Sequence, residues 1–270
     1  MKRIWQIATI LSVIFALVAN YLTATQALDI PAIKEVSDKY ASPLTPATYA
    51  FSIWSVIYLL LVVFAVYQAR DLFRPNKKDG EENKLPLQAG PLFVTASICN
   101  GLWTYVFLND LVGLSLLILL TLAGCLYALL RRLRIAIDDA PIPVIVCVWW
   151  PLLLYTGWVT VASLANLGNW LTSTQIELPA PVAALALIAL GAALLTLLIR
   201  RNVRELLLSS AWGIIAIGVR QLQSHANSLV TYTALAVGFG LIVACIVHGY
   251  VNRVGNPFWL FIKSKLRQAG

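Results

Sequence analysis

The sequence has little charge for its length. Asp, Glu, Lys and Arg make up 12% of its 270 residues, whereas hydrophobic residues make up 60%. The mean hydropathy is +0.80, and about a quarter of the residues in an ordinary soluble domain are charged. The scarcity of charge excludes a typical soluble fold. Because no stretch alternates between apolar and polar residues as a membrane β-barrel does, we predict an all-α polytopic membrane protein.

Groups that catalyse reactions or hold metals are equally scarce. The two histidines, His225 and His248, lie far apart in the sequence and do not suggest a metal site. No Ser-His-Asp or Cys-His pattern and no glycine-rich phosphate loop is present, so we predict no catalytic residues, no metal site and no required cofactor. The cysteines form no C-x-x-C pair, and we expect them to be packing residues without a disulfide. They are Cys99, Cys125, Cys147 and Cys245.

Apolar runs long enough to cross a bilayer recur along the whole chain. We predict eight spans, of which the seventh is short enough to require packing inside the bundle or local thinning of the bilayer. They extend over Ile4–Tyr21, Pro46–Tyr67, Pro91–Leu108, Leu111–Leu130, Ile142–Leu167, Pro179–Ile199, Leu206–Val219 and Leu229–Val251. A signal peptide that ends in the small residues around Ala24 is an alternative interpretation of the first run.

The distribution of basic residues predicts the orientation of the spans. With eight spans and both termini in the cytoplasm, Lys34, Lys39 and Arg220 are the basic residues that fall outside, and the other Lys and Arg lie on the cytoplasmic side. The net charge of +8 is then explained without nucleic acid. We expect Arg220 to extend along the helix end towards water, and pairing with a carboxylate or with an acidic group of a ligand is the alternative. The predicted location is the bacterial inner (cytoplasmic) membrane.

Three phrases of the sequence place aromatic and amide side chains at helical spacing within these spans. Steps of three and four residues put them on one helix face. Each phrase alone is compatible with packing or with an interfacial aromatic belt, but an asparagine in lipid needs a hydrogen-bond partner. Together they predict a ligand pocket between helices. The residues are Phe51, Trp54 and Tyr58, then Asn100, Trp103 and Phe107, and finally Tyr155, Trp158, Ala162 and Asn166.

These phrases resemble the TspO/MBR family, the tryptophan-rich sensory proteins related to the translocator protein (the peripheral benzodiazepine receptor). The family's second helix opens with Thr-Pro-Pro-Gly-Trp-x-Phe, followed by Trp and then Tyr. This pattern is matched by Thr45, Pro46, Phe51, Trp54 and Tyr58. Tyr49 takes the place of the first Trp. The third-helix pattern Asn-x-x-Trp-Ser-x-x-Phe is matched by Asn100, Trp103, Thr104 and Phe107. The fifth-helix pattern is matched by Tyr155, Trp158, Ala162, Asn166 and Trp170.

The resemblance covers about residues 1–170, and its departures indicate a divergent member. Ala47 and Thr48 replace a Pro-Gly pair, Leu154 replaces a proline, and the chain is one residue shorter between Phe51 and Trp54. We therefore predict two regions, a TspO-like five-helix module in 1–170 and three additional helices in 171–270.

The resemblance implies a pocket that opens towards the long first loop and binds a tetrapyrrole, such as porphyrin or haem, or a similar apolar ligand, for sensing or transport. The ligand-binding residues that it implies are those of the three phrases together with Tyr49. A secondary transporter or permease and a membrane assembly factor are the alternatives, and an enzyme is the least supported class. We expect as partners the apolar ligand, the lipid bilayer and a second copy in a homodimer.

Overall fold

The computed structural model describes residues 1–25, 31–72 and 83–252. Within these ranges the protein is an all-α polytopic membrane protein, and eight of its helices are long and apolar enough to cross a membrane, as predicted. A short helix, α2, precedes the second span. The helices are α1 (Lys2–Ala24), α2 (Ile33–Lys39), α3 (Thr48–Gln68), α4 (Leu85–Leu108), α5 (Val112–Arg132), α6 (Ile142–Ser173), α7 (Ala180–Arg200), α8 (Arg204–Gln223) and α9 (Ser228–Val251).

Helix α6 is the longest span and lies at the centre of the bundle. It packs between α5 on one side and α8 on the other, with α3 also against it. Its first part contains a π-helical turn at Ile145–Trp149. Pro151 follows two residues later and has no N–H for the regular ladder, so a π-bulge is expected here. The bulge sets the face that the second half of α6 presents to its neighbours.

Helix α8 corrects the prediction of a short seventh span. It has 20 residues, Arg204–Gln223, and 61% of its membrane-spanning stretch is buried, the largest share among the eight spans. The hydropathy pattern stopped early because both ends of the helix are polar. Those polar ends contact protein groups rather than lipid, so the helix continues to full length.

Small residues bring α6 and α8 into close contact. A side chain at Gly157 would overlap the Leu206 carbonyl oxygen, and the Ser210 hydroxyl donates a hydrogen bond of 3.0 Å to the Gly157 carbonyl. Gly213 of α8 lies beside Trp158 and Val161 of α6. Because α8 lies beyond residue 170, these contacts join the predicted five-helix module to the predicted additional helices. The division of the chain into these two regions stays a prediction.

The segment from residue 31 to residue 47 covers one end of the spans, which we call the outer end after the predicted orientation. The Ala47 N–H donates to the Ala216 carbonyl at 2.9 Å. An ion pair of 2.7 Å joins Arg220 of α8 to Asp38 of α2. The expectation that Arg220 extends unpaired towards water is therefore wrong, because α2 brings a carboxylate within its reach.

A second ion pair holds the same segment to the turn between α4 and α5. Lys39 lies 2.6 Å from Asp110, and Asp110 has a φ of 62°. Asp tolerates this left-handed conformation better than most residues, as its place in a tight turn predicts.

Candidate ligand pocket

A pocket lies between the outer ends of α3, α4 and α6, beneath the segment 31–47. Its enclosed space is ≈ 30 Å³, and ≈ 450 Å³ is reached only when the open space at its mouth is counted, so the closed part is much smaller than a typical small-molecule site. Six of the predicted residues line it: Phe51, Trp103, Phe107, Trp158, Ala162 and Asn166. Ser37, Pro46, Val161, Ala165 and Asn169 complete the wall.

Trp54 lies behind this wall and connects its aromatic side chains. Its ring stacks on Tyr58 with centroids 5.3 Å apart and lies 6.3 Å from Trp103. Its edge-on neighbours are Tyr155 at 5.9 Å and Trp158 at 6.1 Å. The predicted face of α3 therefore meets those of α4 and α6, but Trp54 acts as a support for the pocket wall rather than as part of it.

Asn100 also lies outside the pocket lining, and its amide serves contacts between helices. Its oxygen accepts a 3.0 Å hydrogen bond from the Asn20 amide and a longer one of 3.4 Å from the Tyr58 hydroxyl. Thr104 donates to the Asn20 oxygen at 2.8 Å. This network joins α1, α3 and α4, so the polar groups have protein partners inside the membrane.

Tyr49 is placed differently from the other residues that the resemblance implied. It is 41% exposed and contacts the Trp212 ring edge-on at 5.2 Å. The Trp212 indole N–H donates to the Ala50 carbonyl at 3.1 Å. Tyr49 thus belongs to the contact between α8 and the first turn of α3, and it does not line the pocket.

Asn166 supplies the polar centre of the pocket wall. Its side-chain oxygen accepts hydrogen bonds from the Trp103 indole at 3.0 Å and from the Ser115 hydroxyl at 3.2 Å. Its amide nitrogen is buried and has no hydrogen-bond partner within the described part of the chain, and the same holds for the indole nitrogen of Trp158. Two buried N–H donors on an aromatic wall fit a ligand that carries a hydrogen-bond acceptor, because an unsatisfied buried donor costs about 1–3 kcal/mol.

The sequence did not identify the pocket residues Ser37 and Asn169. Asn169 lies three residues after Asn166, so the same helical spacing contains a signal for it. Its amide lies 3.0 Å from the Thr45 hydroxyl, which joins α6 to the covering segment. Ser37 comes from α2, whose position over the pocket has no local signal in the sequence.

The rim of the pocket carries paired charges. Asp38 lies 2.7 Å from Lys34 as well as from Arg220. The hydrogen bond from Lys34 lowers the pKa of the Asp38 carboxyl, partial burial opposes this effect, and Arg220 lowers the pKa further. Within residues 1–25, 31–72 and 83–252, no cluster of three His, Cys, Asp or Glu side chains is suited to a metal ion.

Comparison with known proteins gives one match. A family model described as TSPO-like protein matches residues 6–247. The matched range extends from α1 into α9, well beyond residue 170. No curated protein and no solved structure matches the chain.

Proposed function

This chain belongs to the family of TSPO-like proteins, and on that premise we propose that its outer pocket binds a tetrapyrrole, such as a porphyrin or haem, or a similar flat apolar molecule. The binding would serve sensing or transport at a membrane, for which the bacterial cytoplasmic membrane is our prediction.

The unpartnered amide nitrogen of Asn166 is the observation that carries this proposal. Three aromatic residues line the same pocket as Asn166, namely Trp103, Phe107 and Trp158. Flat conjugated ligands pack well on such walls, and a ring nitrogen or a carboxylate oxygen of the ligand would accept the free N–H. An apolar pocket that needed no acceptor would leave this donor at a permanent energetic penalty.

The shape of the site suits an amphipathic ligand. The inner wall is apolar, whereas the rim carries the basic residues Lys34, Lys39 and Arg220 beside acidic partners. A tetrapyrrole with carboxylate substituents would place its ring against the aromatic wall and its acidic groups towards the basic rim. Because the enclosed space is only ≈ 30 Å³, a macrocycle would bind in the mouth or after the wall and the covering segment move apart.

The test is titration of the purified protein with protoporphyrin IX, followed by quenching of tryptophan fluorescence. Ala162→Phe fills the pocket without removing a fluorophore, and Leu167→Phe on the exposed face of the same helix is the matched control. Steric exclusion on a scale of about 1–3 kcal/mol corresponds to binding that is about 5- to 150-fold weaker. We expect saturable quenching in the wild type and in Leu167→Phe, and this loss of affinity in Ala162→Phe.

Two outcomes would contradict the proposal. Quenching that does not saturate in the wild type would show that the protein does not bind this ligand class. Unchanged affinity in Ala162→Phe, with a folded variant, would show that the ligand binds elsewhere.

A further inference from the structure

A second group of polar side chains lies at the inner ends of α6, α8 and α9, opposite to the pocket. It forms where the turn after α7 leads into α8. We call it the inner cleft, and the described residues that form it are Trp150, Asn202, Arg204, Glu205, Cys245 and His248.

The inner cleft contains buried polar atoms without partners. The Arg204 Nε, the His248 Nδ1 and the Asn202 Oδ1 are each buried, and none has a hydrogen-bond partner within the described part of the chain. Unsatisfied buried polar atoms are rare in native proteins and often mark a missing water, ion or ligand. These three atoms are covered, but they belong to half-buried residues at the start of α8 and the end of α9, where an external group can contact the exposed part of each side chain.

Contacts of Arg204 bring these atoms together. A Cβ at Gly249 would lie 2.7 Å from the Arg204 Nη1, so the guanidinium lies against the last turn of α9, next to His248. The Cys245 thiol, one turn earlier in α9, approaches the Arg204 carbonyl oxygen at 3.6 Å. The guanidinium of Arg204 and the imidazole of His248 are therefore neighbours at the end of α9.

The cleft offers hydrogen-bond acceptors as well as donors. Glu205 follows Arg204 and lies within hydrogen-bonding reach of the Trp150 indole. Its carboxylate and the Asn202 amide oxygen would repel a simple anion, and Arg204 would repel a simple cation. A group that joins a phosphate to a primary ammonium satisfies both sets, because the phosphate accepts from the N–H groups of Arg204 and His248 and the ammonium donates to the oxygens.

The surroundings of the cleft are apolar and exposed. Ile199, at the end of α7, is 80% exposed, and Val251, in the last turn of α9, is 69% exposed. Val247 next to His248 is also exposed. In a membrane such side chains face acyl chains, which favours a lipid over a soluble compound as the source of the phosphate and the amine.

We propose that the inner cleft binds the headgroup of a primary-amine phospholipid, with the phosphate at Arg204 and His248 and the ammonium at Glu205 and Asn202. The acyl chains lie on the exposed apolar side chains of α7 and α9. Basic pockets at the inner ends of spans are known to hold lipid headgroups; the carboxylate in this cleft adds selectivity for an amine.

The experiment measures thermal stabilisation of the full-length protein in detergent as single lipids are added without porphyrin. The probes are phosphatidylethanolamine, phosphatidylcholine and phosphatidic acid with the same acyl chains, and soluble glycerophosphoethanolamine. We expect saturable stabilisation that is largest with phosphatidylethanolamine. Phosphatidylcholine lacks ammonium N–H donors, and phosphatidic acid lacks the amine, so both should stabilise less, as should the soluble headgroup.

Variants separate this site from general surface charge. Arg204→Gln removes the cationic donor, and Arg200→Gln removes the same charge from the exposed end of α7. Loss of one charge-assisted hydrogen bond predicts about a tenfold higher apparent Kd for phosphatidylethanolamine in Arg204→Gln, with Arg200→Gln close to the wild type. If Arg204→Gln does not fold, Glu205→Gln should instead abolish the preference for phosphatidylethanolamine over phosphatidylcholine.

Three results would overturn the proposal. Equal losses in Arg204→Gln and Arg200→Gln would reduce the effect to surface electrostatics. Equal stabilisation by phosphatidylethanolamine and phosphatidylcholine would remove the role of the amine. Saturation by glycerophosphoethanolamine at the same concentration would replace the lipid with a soluble ligand.

Discussion

The contact between α6 and α8 at Gly157 allows a sharp test of how the last three helices support the pocket. Replacement of Gly157 by alanine would place a methyl group onto the Leu206 carbonyl oxygen and the Ser209 hydroxyl. The hydroxyl can rotate away, but the carbonyl oxygen belongs to the backbone of α8. The two helices must therefore separate to accommodate the variant.

The expected size of the effect follows from three contributions. Overpacking of a tight contact destabilises by about 1–3 kcal/mol. The hydrogen bond from Ser210 to the Gly157 carbonyl contributes about 0.6 kcal/mol, the average for such bonds between membrane helices. Alanine offsets about 0.5–1 kcal/mol because it restricts the unfolded chain more than glycine does. Gly157→Ala should therefore lose about 1–3 kcal/mol in total.

Gly124→Ala in α5 is the matched control, because a Cβ at Gly124 would have no neighbour within 4 Å. It should be as stable as the wild type or gain up to about 1 kcal/mol. The free energy of unfolding of both variants would be measured by chemical denaturation in the same detergent. Since Gly213 of α8 lies beside Trp158 and Val161, Gly157→Ala should also weaken quenching by protoporphyrin IX.

An unperturbed Gly157→Ala protein would refute the reasoning. If its unfolding free energy equals that of the wild type while Gly124→Ala behaves as expected, α6 and α8 do not meet at Gly157. If stability falls but porphyrin affinity is unchanged, the helices meet there but α8 does not support the pocket.

Two further predictions concern the cover of the pocket and its attachment to α8. Arg220→Gln should destabilise the protein by at most about 1 kcal/mol at pH 7. The pKa of Asp38 is lowered from 3.8 in the folded protein by Lys34 and then by Arg220. The stabilisation is therefore complete above pH 3.8 and is lost below it, as the pH falls through the lowered pKa. Denaturation at pH 7 and at about pH 2 would reveal the trend, and a difference that does not shrink between them would exclude the ion pair as its cause. Trp212→Phe should lose about 1 kcal/mol, because the ring remains but the hydrogen bond to the Ala50 carbonyl does not; an unchanged thermal midpoint would contradict this bond.

The positions of the spans could be predicted because the bilayer imposes a length and an apolar composition that are local properties of the sequence. All eight predicted runs coincide with the eight candidate spans of the described structure. Helix α8 deviated in length because its ends are polar where they meet protein. A hydropathy pattern contains no information about which neighbour a polar residue will have.

The sequence predicted which helix faces turn towards the candidate pocket, but not which residues on those faces line it. Helical spacing put Trp54 and Asn100 on the faces that turn inward, and the structure agrees with this placement. Whether an inward-facing residue lines the cavity depends on whether a residue of a neighbouring helix already contacts its side chain. Asn100 is engaged by Asn20 of α1, whereas Asn166 lines the pocket and its buried amide nitrogen has no partner within the described residues.

Helix α8 connects the last three helices to the rest of the bundle at several points. It contributes Gly213 beside the pocket wall, Trp212 to the entry of α3, Arg220 to the covering helix α2 and Arg204 to the inner cleft. Without α8, the buried face of α6 around Gly157 would meet lipid and the covering segment would lose its ion pair with Arg220.

The occupancy of the outer pocket and that of the inner cleft are therefore expected to influence each other through the position of helix α8. Saturating phosphatidylethanolamine should change the porphyrin affinity of the wild type, and the change should be smaller in Gly157→Ala. Affinities that respond equally in both proteins would show that α8 does not couple the two sites.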